Sequence, residues 1–301
     1  MEFIDVKVDT AFKRVFGDDK HKDILIDFLN SVIPFEAGAQ IETLEILNPN
    51  NSPHTMRSKD SYVDVKVQLS DKKKILIEMQ MCQTRDFSRR VMYNTAHTFA
   101  SQLRRGEKYH KVADVISLNI VNFILRKNRD RVVTTYTMMS KEDFDEYFDK
   151  DIIQVIFVEL PKFKKQEVEL FNKMDKWLYF LKNVDQFDAV PKILEKEEPI
   201  KEAFLLLDKS NLTEEESNAY MQREDFLINN FSFQEEVKEE GRKEGREEGR
   251  EEGEQLGIEK GKKEASLATA KELLSLGVDH AIIIKSTGLS REDIERLSPR
   301  K

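Results

Sequence analysis

The sequence has little of what stabilises small secreted proteins or anchors proteins in membranes. It contains one cysteine, Cys82, so it can form neither an internal disulfide nor a cysteine-based zinc site. Its five histidines show no metal-ligand spacing, and no stretch reaches the roughly 18 apolar residues of a membrane span. The first residues lack the basic and apolar regions of a secretory signal. We therefore expect a cytoplasmic protein that does not contact the membrane.

Positive charge is not in excess either. The 301 residues include 49 lysines and arginines against 57 acidic residues, which gives a formal net charge of −8. Any contact with nucleic acid must therefore be local. With 39% hydrophobic residues and 19 phenylalanines, the chain can build a substantial core, as one large or two modest domains.

Glycine is scarce except in one charged stretch, residues 235–264. Six of the eleven glycines lie there with a period of four, at positions 241, 245, 249, 253, 257 and 261. Six glycines cost a helix about 5 kcal/mol relative to alanine, so an isolated helix here is marginal. One interpretation is a solvated, partly frayed helical linker. The other is a close helix–helix contact through which two chains pair, and we expect a homo-oligomer on this basis.

Apolar periodicity divides the rest of the chain into helices and strands. Helical spacing covers residues 9–17, 20–32, 85–106 and 166–183, and Asp9 is placed to cap the first of these helices. Strand patterns cover 41–47, 61–69, 74–81, 111–121, 132–138 and 152–160, with a loop at 48–53. This order predicts an α/β fold with a mixed sheet flanked by helices. We expect four segments: 1–188, a helical region 189–234, a glycine-spaced charged helix or linker 235–264, and a small module 265–301.

The last segment has the pattern of a helix-turn-helix. Asp279 can cap one short helix, and Ser290 with Asp293 predicts the start of another. The final helix carries Arg291 and Arg296, but three acidic residues accompany them. Because this is not the basic footprint of a DNA-reading helix, we favour a packing or dimerisation module.

Two carboxylates stand inside the predicted hairpin of residues 61–69 and 74–81. A buried carboxylate has to be hydrogen-bonded, paired or bound to a metal, and a salt-bridged pair is one explanation of Asp64 and Glu78. Glu78 and Gln80 share one face of their strand, and Asp64 joins them if the register places it opposite. Two carboxylates with a backbone carbonyl, that of Met79, and water suit Mg²⁺, which can activate a bound water for attack on phosphorus.

The spacing Asp64…Glu78-x-Gln80 resembles the PD-(D/E)XK nuclease signature with glutamine in the lysine position. The chain is more specifically similar to the Rpn family of recombination-promoting nucleases and putative transposases. The stretches that carry this likeness are 9–17, 64–67, 77–80, 89–93, 102–109 and 156–163, with the glycine repeat. The resemblance implies a restriction-endonuclease-like core in residues 1–188, followed by a helical C-terminal extension. It also implies a Mg²⁺- or Mn²⁺-dependent DNA endonuclease linked to recombination or mobile elements.

Gln80 is the important difference from the PD-(D/E)XK signature, because its amide can orient a water but cannot supply the positive charge of lysine. Lys66 lies two residues from Asp64 on the same strand face and is a plausible substitute, as are Arg89 and Lys13. The predicted catalytic residues are Asp64, Glu78, Gln80 and Lys66. The predicted metal ligands are Asp64, Glu78, the Met79 carbonyl and Asp9. The candidate DNA contacts are Lys13, Arg89, Arg90 and Tyr93, although the arginines could simply be solvated and Tyr93 could belong to the core.

Two other kinds of protein remain compatible with the sequence. One is a catalytically weak protein with the nuclease fold that binds nucleic acid or a partner. The other is an oligomerisation or regulatory protein built on the glycine repeat.

Overall fold

The computed structural model describes residues 1–35, 38–51, 61–144, 146–149 and 152–297. The strands are β1 (Leu44–Leu47), β2 (Asn50–Asn51), β3 (Ser61–Tyr62), β4 (Val65–Leu69), β5 (Lys74–Gln80), β6 (Val115–Val121), β7 (Val133–Tyr136) and β8 (Ile153–Glu159). The helices are α1 (Asp9–Phe16), α2 (Lys22–Val32), α3 (Phe87–Ala100), α4 (Lys173–Asn183), α5 (Lys192–Glu195), α6 (Glu198–Leu207), α7 (Glu214–Ser275), α8 (His280–Thr287) and α9 (Arg291–Leu297). Short 3₁₀ turns join several of them.

A six-stranded mixed sheet with the order β1-β4-β5-β6-β8-β7 organises the first part of the chain. The hairpin β4–β5 is antiparallel, whereas β5, β6 and β8 run parallel to one another. The edge strands β1 and β7 pair antiparallel with their neighbours. Parallel neighbours place their C-terminal ends at the same edge of the sheet, so Gln80, Val121 and Glu159 stand in register there.

Helices cover both faces of this sheet. Alternate residues of β5 and β6, such as Ile77 and Leu118, join a large core that includes α1, α2, α4 and α6. The other face packs beneath α3, where Phe87 contacts a cluster containing Phe157. Every residue of β6 is buried, as expected for a central strand that is covered on both sides. The α/β class and the mixed sheet flanked by helices, predicted from the sequence, are confirmed.

Several predicted boundaries differ from the structure. The first hairpin strand is interrupted, because Asp64 lies in a bend between β3 and β4 rather than inside a strand. Asp9 is the first residue of α1, and the cap residue Val8 makes no side-chain cap bond. The long helix predicted for 85–106 ends at Ala100, and the helix predicted for 166–183 begins at Lys173, where the Asn172 side chain accepts from the Asp175 amide. The end of the predicted loop 48–53, at residues 52 and 53, lies outside the described residues.

The chain forms two compact units, Met1–Asn229 and Asn230–Lys301. In the first unit, α5 and α6 pack into the large core through Leu194 and Phe204, so the predicted helical region 189–234 contributes to that core. In the second unit, residues 241–261 are helical and exposed. A small cluster that includes Ala270, Ile283 and Ile294 joins the end of α7 to α8 and α9.

The predicted caps in the second unit are present. The Asp279 side chain accepts a hydrogen bond from the Ala281 amide at 2.8 Å, and Ser290 Oγ accepts one from the Asp293 amide at 3.1 Å. Gly288 ends α8 with a φ of 68°, a conformation that favours glycine. Among the described helices, none combines the length and apolar character needed to cross a membrane.

Candidate active site

The site is built at the end of the β4–β5 hairpin. Val65 stands opposite Ile77, so the next pair along the antiparallel register is Asp64 with Glu78. Asp64 Oδ2 accepts a hydrogen bond from the Met79 amide at 2.8 Å, which fixes its carboxylate beside β5. Glu78 and Gln80 follow on one face of β5 because alternate strand residues share a face. The juxtaposition predicted from the spacing is therefore present, although Asp64 reaches it from the bend before its strand.

Both carboxylates are largely shielded from solvent. The Asp64 and Glu78 side chains are 14% and 12% exposed. Burial raises the pKa of Asp64, and the Met79 amide and the Lys13 ammonium partly offset this effect. Burial also raises the pKa of Glu78; Arg90 opposes the shift, and the negative charge of Asp64 adds to it. Two acids that are costly to ionise side by side form a site that a cation would stabilise.

Arg90, on α3, bridges Glu78 and Gln80 of β5. Its Nη2 donates to Glu78 Oε1 at 2.7 Å and to Gln80 Oε1 at 2.5 Å. The Gln80 amide nitrogen in turn donates to the Cys82 carbonyl at 3.1 Å, which orients the side-chain amide. The Arg90 guanidinium lies 5.6 Å from the Phe87 ring centroid. Positive charge is thus placed beside Gln80 by the neighbouring helix.

A second group of charges adjoins Asp64 from α1 and α7. Lys13 Nζ lies 3.5 Å from Asp64 Oδ1 and 4.0 Å from Asp9 Oδ2. Asp9 Oδ1 also accepts a hydrogen bond from Arg223 Nε at 2.8 Å. In the part of the chain that the structure describes, no three side chains of the His, Cys, Asp or Glu type cluster tightly enough to hold a metal ion. Asp9 is instead held by two cationic side chains.

These residues line a cleft of about 940 Å³. Of the residues singled out in the sequence, the cleft brings together Asp9, Asp64, Glu78, Met79, Gln80, Arg89, Arg90 and Tyr93. Tyr93 is 42% exposed, so it belongs to the cleft wall rather than to the core. Lys13 touches Asp64 from beside the cleft. Lys66 stands opposite Leu76, on the side of Asp64 away from Gln80, and is not among the described residues that line the cleft.

The family of the chain follows from comparison with known proteins. A model described as "PD-(D/E)XK nuclease family transposase" matches residues 6–236. The chain belongs to this nuclease family. A second model, "Rpn/YhgA-like nuclease family, C-terminal HTH domain", matches residues 263–299. Neither the curated proteins nor the solved structures gave a match.

Membership in the PD-(D/E)XK family confirms the resemblance to Rpn nucleases and putative transposases that the motifs indicate. It makes the chain a nuclease-family protein linked to mobile elements. The helix-turn-helix match suggests DNA binding, whereas the packing or dimerisation role favoured from the sequence has no support in it. The acidic residues of α9 therefore do not exclude contact with DNA.

The cleft also contains residues that the sequence does not reveal. Asn94 is 2% exposed and lines the cleft, and neither atom of its amide has a protein partner among the described residues. Its spacing of one helical turn from Arg90 is the signal that could have indicated it. Arg223 and Leu227 of α7 line the cleft from more than 120 residues away along the chain, and no local pattern predicts that.

Proposed function

We propose that the chain is a metal-dependent DNA endonuclease that hydrolyses phosphodiester bonds in recombination or mobile-element processes. The observation that carries the proposal is the pairing of two largely shielded carboxylates, Asp64 and Glu78, in the cleft of a PD-(D/E)XK family protein. Asp64 and Glu78 stand opposite each other at the end of the β4–β5 hairpin, where oxygen ligands can converge on one ion.

The residues present fit a divalent cation such as Mg²⁺ or Mn²⁺. Asp64 and Glu78 would hold it with the Met79 carbonyl. Because both polar groups of a strand residue face the same neighbouring strand, the Met79 amide bond to Asp64 turns that carbonyl to the same side. Asp9 would have to leave Arg223 and Lys13 to join them. When bound, the ion would lower the pKa of a water and offset charge on the phosphate.

Arg90 is the side chain that we assign to the role of the missing lysine. It contacts both Glu78 and Gln80, whereas Lys66 lies opposite Leu76 and outside the cleft lining. Burial, and secondarily Lys74, lower the pKa of Lys66, which weakens its hold on a proton. A guanidinium remains charged at all relevant pH values and can move from Glu78 to a phosphate oxygen. Gln80, held by Arg90 and Cys82, would orient the attacking water.

The remaining candidates are assigned to DNA contact. Arg89 is exposed on the cleft wall next to Arg90, and the ring of Tyr93 lies one turn further along α3, stacked on His97. Arginine can pair with phosphate, and an exposed aromatic ring can stack on a base. Lys13 is already shared between Asp64 and Asp9, so it would steady the carboxylates as well as attract phosphate.

The test is plasmid nicking by the purified full-length chain in Mg²⁺, Mn²⁺ or Ca²⁺. We expect nicking that requires a divalent ion, and a loss on the order of 10²-fold or more in Asp64→Asn and in Glu78→Gln. Asp188→Asn and Glu195→Gln are matched controls, because both carboxylates are exposed and lie outside the cleft lining. Nicking that persists in both site variants, or that needs no metal, would contradict the proposal.

The alternative is a catalytically weak protein that acts by binding. The helix-turn-helix match supports DNA as its ligand. The same preparations separate the two functions, because a binding protein would retain DNA affinity and show no metal-dependent nicking in any variant.

We also propose self-association through the glycine repeat. At each glycine from Gly241 to Gly261, an added Cβ would meet nothing within 4 Å. The repeat therefore presents open backbone on a helix, where another helix of the same kind can approach closely.

A further inference from the structure

A basic loop, residues 122–132, leaves the sheet at the same edge as the active site. Its first amide, that of Asn122, donates to the Gln80 carbonyl at 3.0 Å. Its last carbonyl, that of Val132, accepts from the Glu159 amide at 2.8 Å. Gln80 and Glu159 end strands that are separated only by β6, so the two anchors are about 10 Å apart.

A buried carboxylate also holds the middle of the loop. Glu159 is 1% exposed, and its Oε2 accepts hydrogen bonds from the amides of Leu125 at 2.6 Å and Arg126 at 3.1 Å. Its Oε1 accepts from Lys162 Nζ at 2.7 Å, which balances the buried charge. A surface loop with three anchors on the sheet is held in place, and its outer side chains are presented from a fixed backbone.

The outer side chains are strongly basic. Arg126, Lys127, Arg129 and Arg131 are exposed, and Asp130 is the one acidic residue between the anchors. Lys127, Arg129 and Arg131 form no ion pair with another described residue. Arg126 is steadied against Tyr136, with its guanidinium 6.0 Å from the ring centroid. In a chain with a net charge of −8, this loop is a local concentration of positive charge.

We propose that loop 122–132 binds the phosphate backbone of duplex DNA beside the cleft. The inference rests on the proposed function, because it takes DNA as the substrate of that cleft. Lys127, Arg129 and Arg131 would neutralise successive phosphates without reading bases, and the loop would fix the path of the duplex past Glu78 and Gln80. Because its ends hydrogen-bond to Gln80 and Glu159, the loop defines where the backbone passes relative to the carboxylates.

The test is the salt dependence of DNA binding. The full-length chain carrying Glu78→Gln, which separates binding from cutting, is titrated with a fluorescent duplex by anisotropy over a range of KCl concentrations. Lys127→Ala with Arg129→Ala should make the slope of log affinity against log salt shallower by about 2, at about 0.9 per phosphate contact. Affinity at low salt should fall as well. The control is Lys192→Ala with Lys196→Ala. These exposed lysines are the first residue of α5 and the residue after its end, and their replacement should leave the slope unchanged.

The C-terminal helix-turn-helix is the same in every variant. Its contribution to the slope of log affinity against log salt therefore cancels when two variants are compared. A loop variant with the slope and affinity of its parent would overturn the inference, as would a control pair that lowers the slope equally. The nicking assay keeps the two proposals apart. If the slope becomes shallower in the loop variant while the unsubstituted chain never nicks DNA, the proposed cleavage is refuted and the role of the loop is supported. If the unsubstituted chain nicks DNA and the slope does not change, the cleavage is supported and the role of the loop is refuted.

Discussion

Two residues at the proposed catalytic site, Gln80 and Arg90, share one hydrogen bond. Glutamine brings no charge to the end of β5, and the guanidinium of Arg90 arrives from α3 instead. In the proposed mechanism, this guanidinium takes the place of the strand lysine, and it can move away from Glu78. Arg90 also lowers the pKa of Glu78 against the opposing effect of burial, so it influences how readily the site ionises.

Replacing Arg90 should lower turnover more than affinity. We expect Arg90→Ala to reduce kcat for nicking by about 10²–10³-fold at saturating metal, because a positioned charge acts mainly on the transition state. Arg90→Lys should retain part of the rate. Arg89→Ala, its exposed neighbour, should raise KM and leave kcat close to that of the unsubstituted chain. If Arg90→Ala keeps the full kcat for nicking while Lys66→Ala loses activity, Lys66 and not Arg90 supplies the positive charge.

At the scale of residues, the sequence predicts only the contacts that follow from local spacing along the chain. Glu78 and Gln80 lie on β5, and Asp64 immediately precedes β4 in the same short hairpin, so alternation and turn length suffice to bring them together. The position of Arg90 beside Gln80 depends on how α3 is rotated on the sheet, and packing of Phe87 and Val91 sets that rotation. The contact between Asp9 and Arg223 joins residues 214 positions apart, which no local pattern encodes.

At the scale of elements, α7 begins with a capping box. The Thr213 amide donates to Glu216 Oε2 at 2.8 Å, and the Glu216 amide donates to Thr213 Oγ1 at 3.2 Å. The Thr213 amide bond is the main reason that the pKa of Glu216 is lowered, and Arg14, which pairs with Glu216, adds to it. The box fixes the start of the helix that supplies Arg223 to the cleft.

The stabilising effect of the Glu216 charge should depend on pH. Because its pKa is lowered in the folded chain, the stabilisation is present above the usual glutamate pKa of about 4.3 and is lost as pH falls. Glu216→Gln keeps an acceptor but removes the charge, so we expect a loss of about 0.3–1 kcal/mol at pH 7 that disappears in acid. Urea unfolding at both pH values measures it, with the exposed Glu215→Gln as control. If Glu216→Gln still lowers the free energy of unfolding in acid, the stabilisation comes from the shape of the side chain and not from its charge.

Replacing glycines of the repeat by alanine should stabilise the helix and weaken self-association. In Gly249→Ala with Gly253→Ala, each added Cβ meets open space, so helix stability should rise by about 1 kcal/mol per site. If the repeat pairs two chains, the same methyl groups hold the helices apart and the dimer should dissociate more readily. Circular dichroism melts and sedimentation velocity measure the two effects. A more stable helix with unchanged association would exclude the repeat as a contact.

At the scale of the whole molecule, the proposed catalytic cleft and the predicted DNA-binding module fall in different units. Every residue that lines the cleft lies within Met1–Asn229, whereas the helix-turn-helix match covers residues 263–299. The mixed sheet was predictable because its strands are strongly apolar. The packing of α6 into the core of the first unit was not predictable, because a charge-rich sequence with proline breaks does not indicate which helix packs against which element.

Removing the second unit should separate affinity from turnover. A chain ending at Asn229 should keep the kcat for nicking, because its cleft is complete, and its KM should rise on the order of 10²-fold through loss of a second DNA contact. The unfolding midpoint of the shortened chain serves as the control for an intact core. A lost kcat in a folded, shortened chain would show that residues beyond Asn229 take part in the reaction.

The hydrogen bonds that the Glu159 carboxylate accepts from the loop have an evolutionary consequence. The carboxylate holds the basic loop through the backbone amides of positions 125 and 126, and it makes no demand on the side chains there. Mutation can therefore change the charge of the loop, and with it the strength of DNA attachment, while the loop keeps its place. Proline is the exception, because it has no amide hydrogen to donate. Among relatives, the loop should vary freely in composition, and proline should be rare at these two positions.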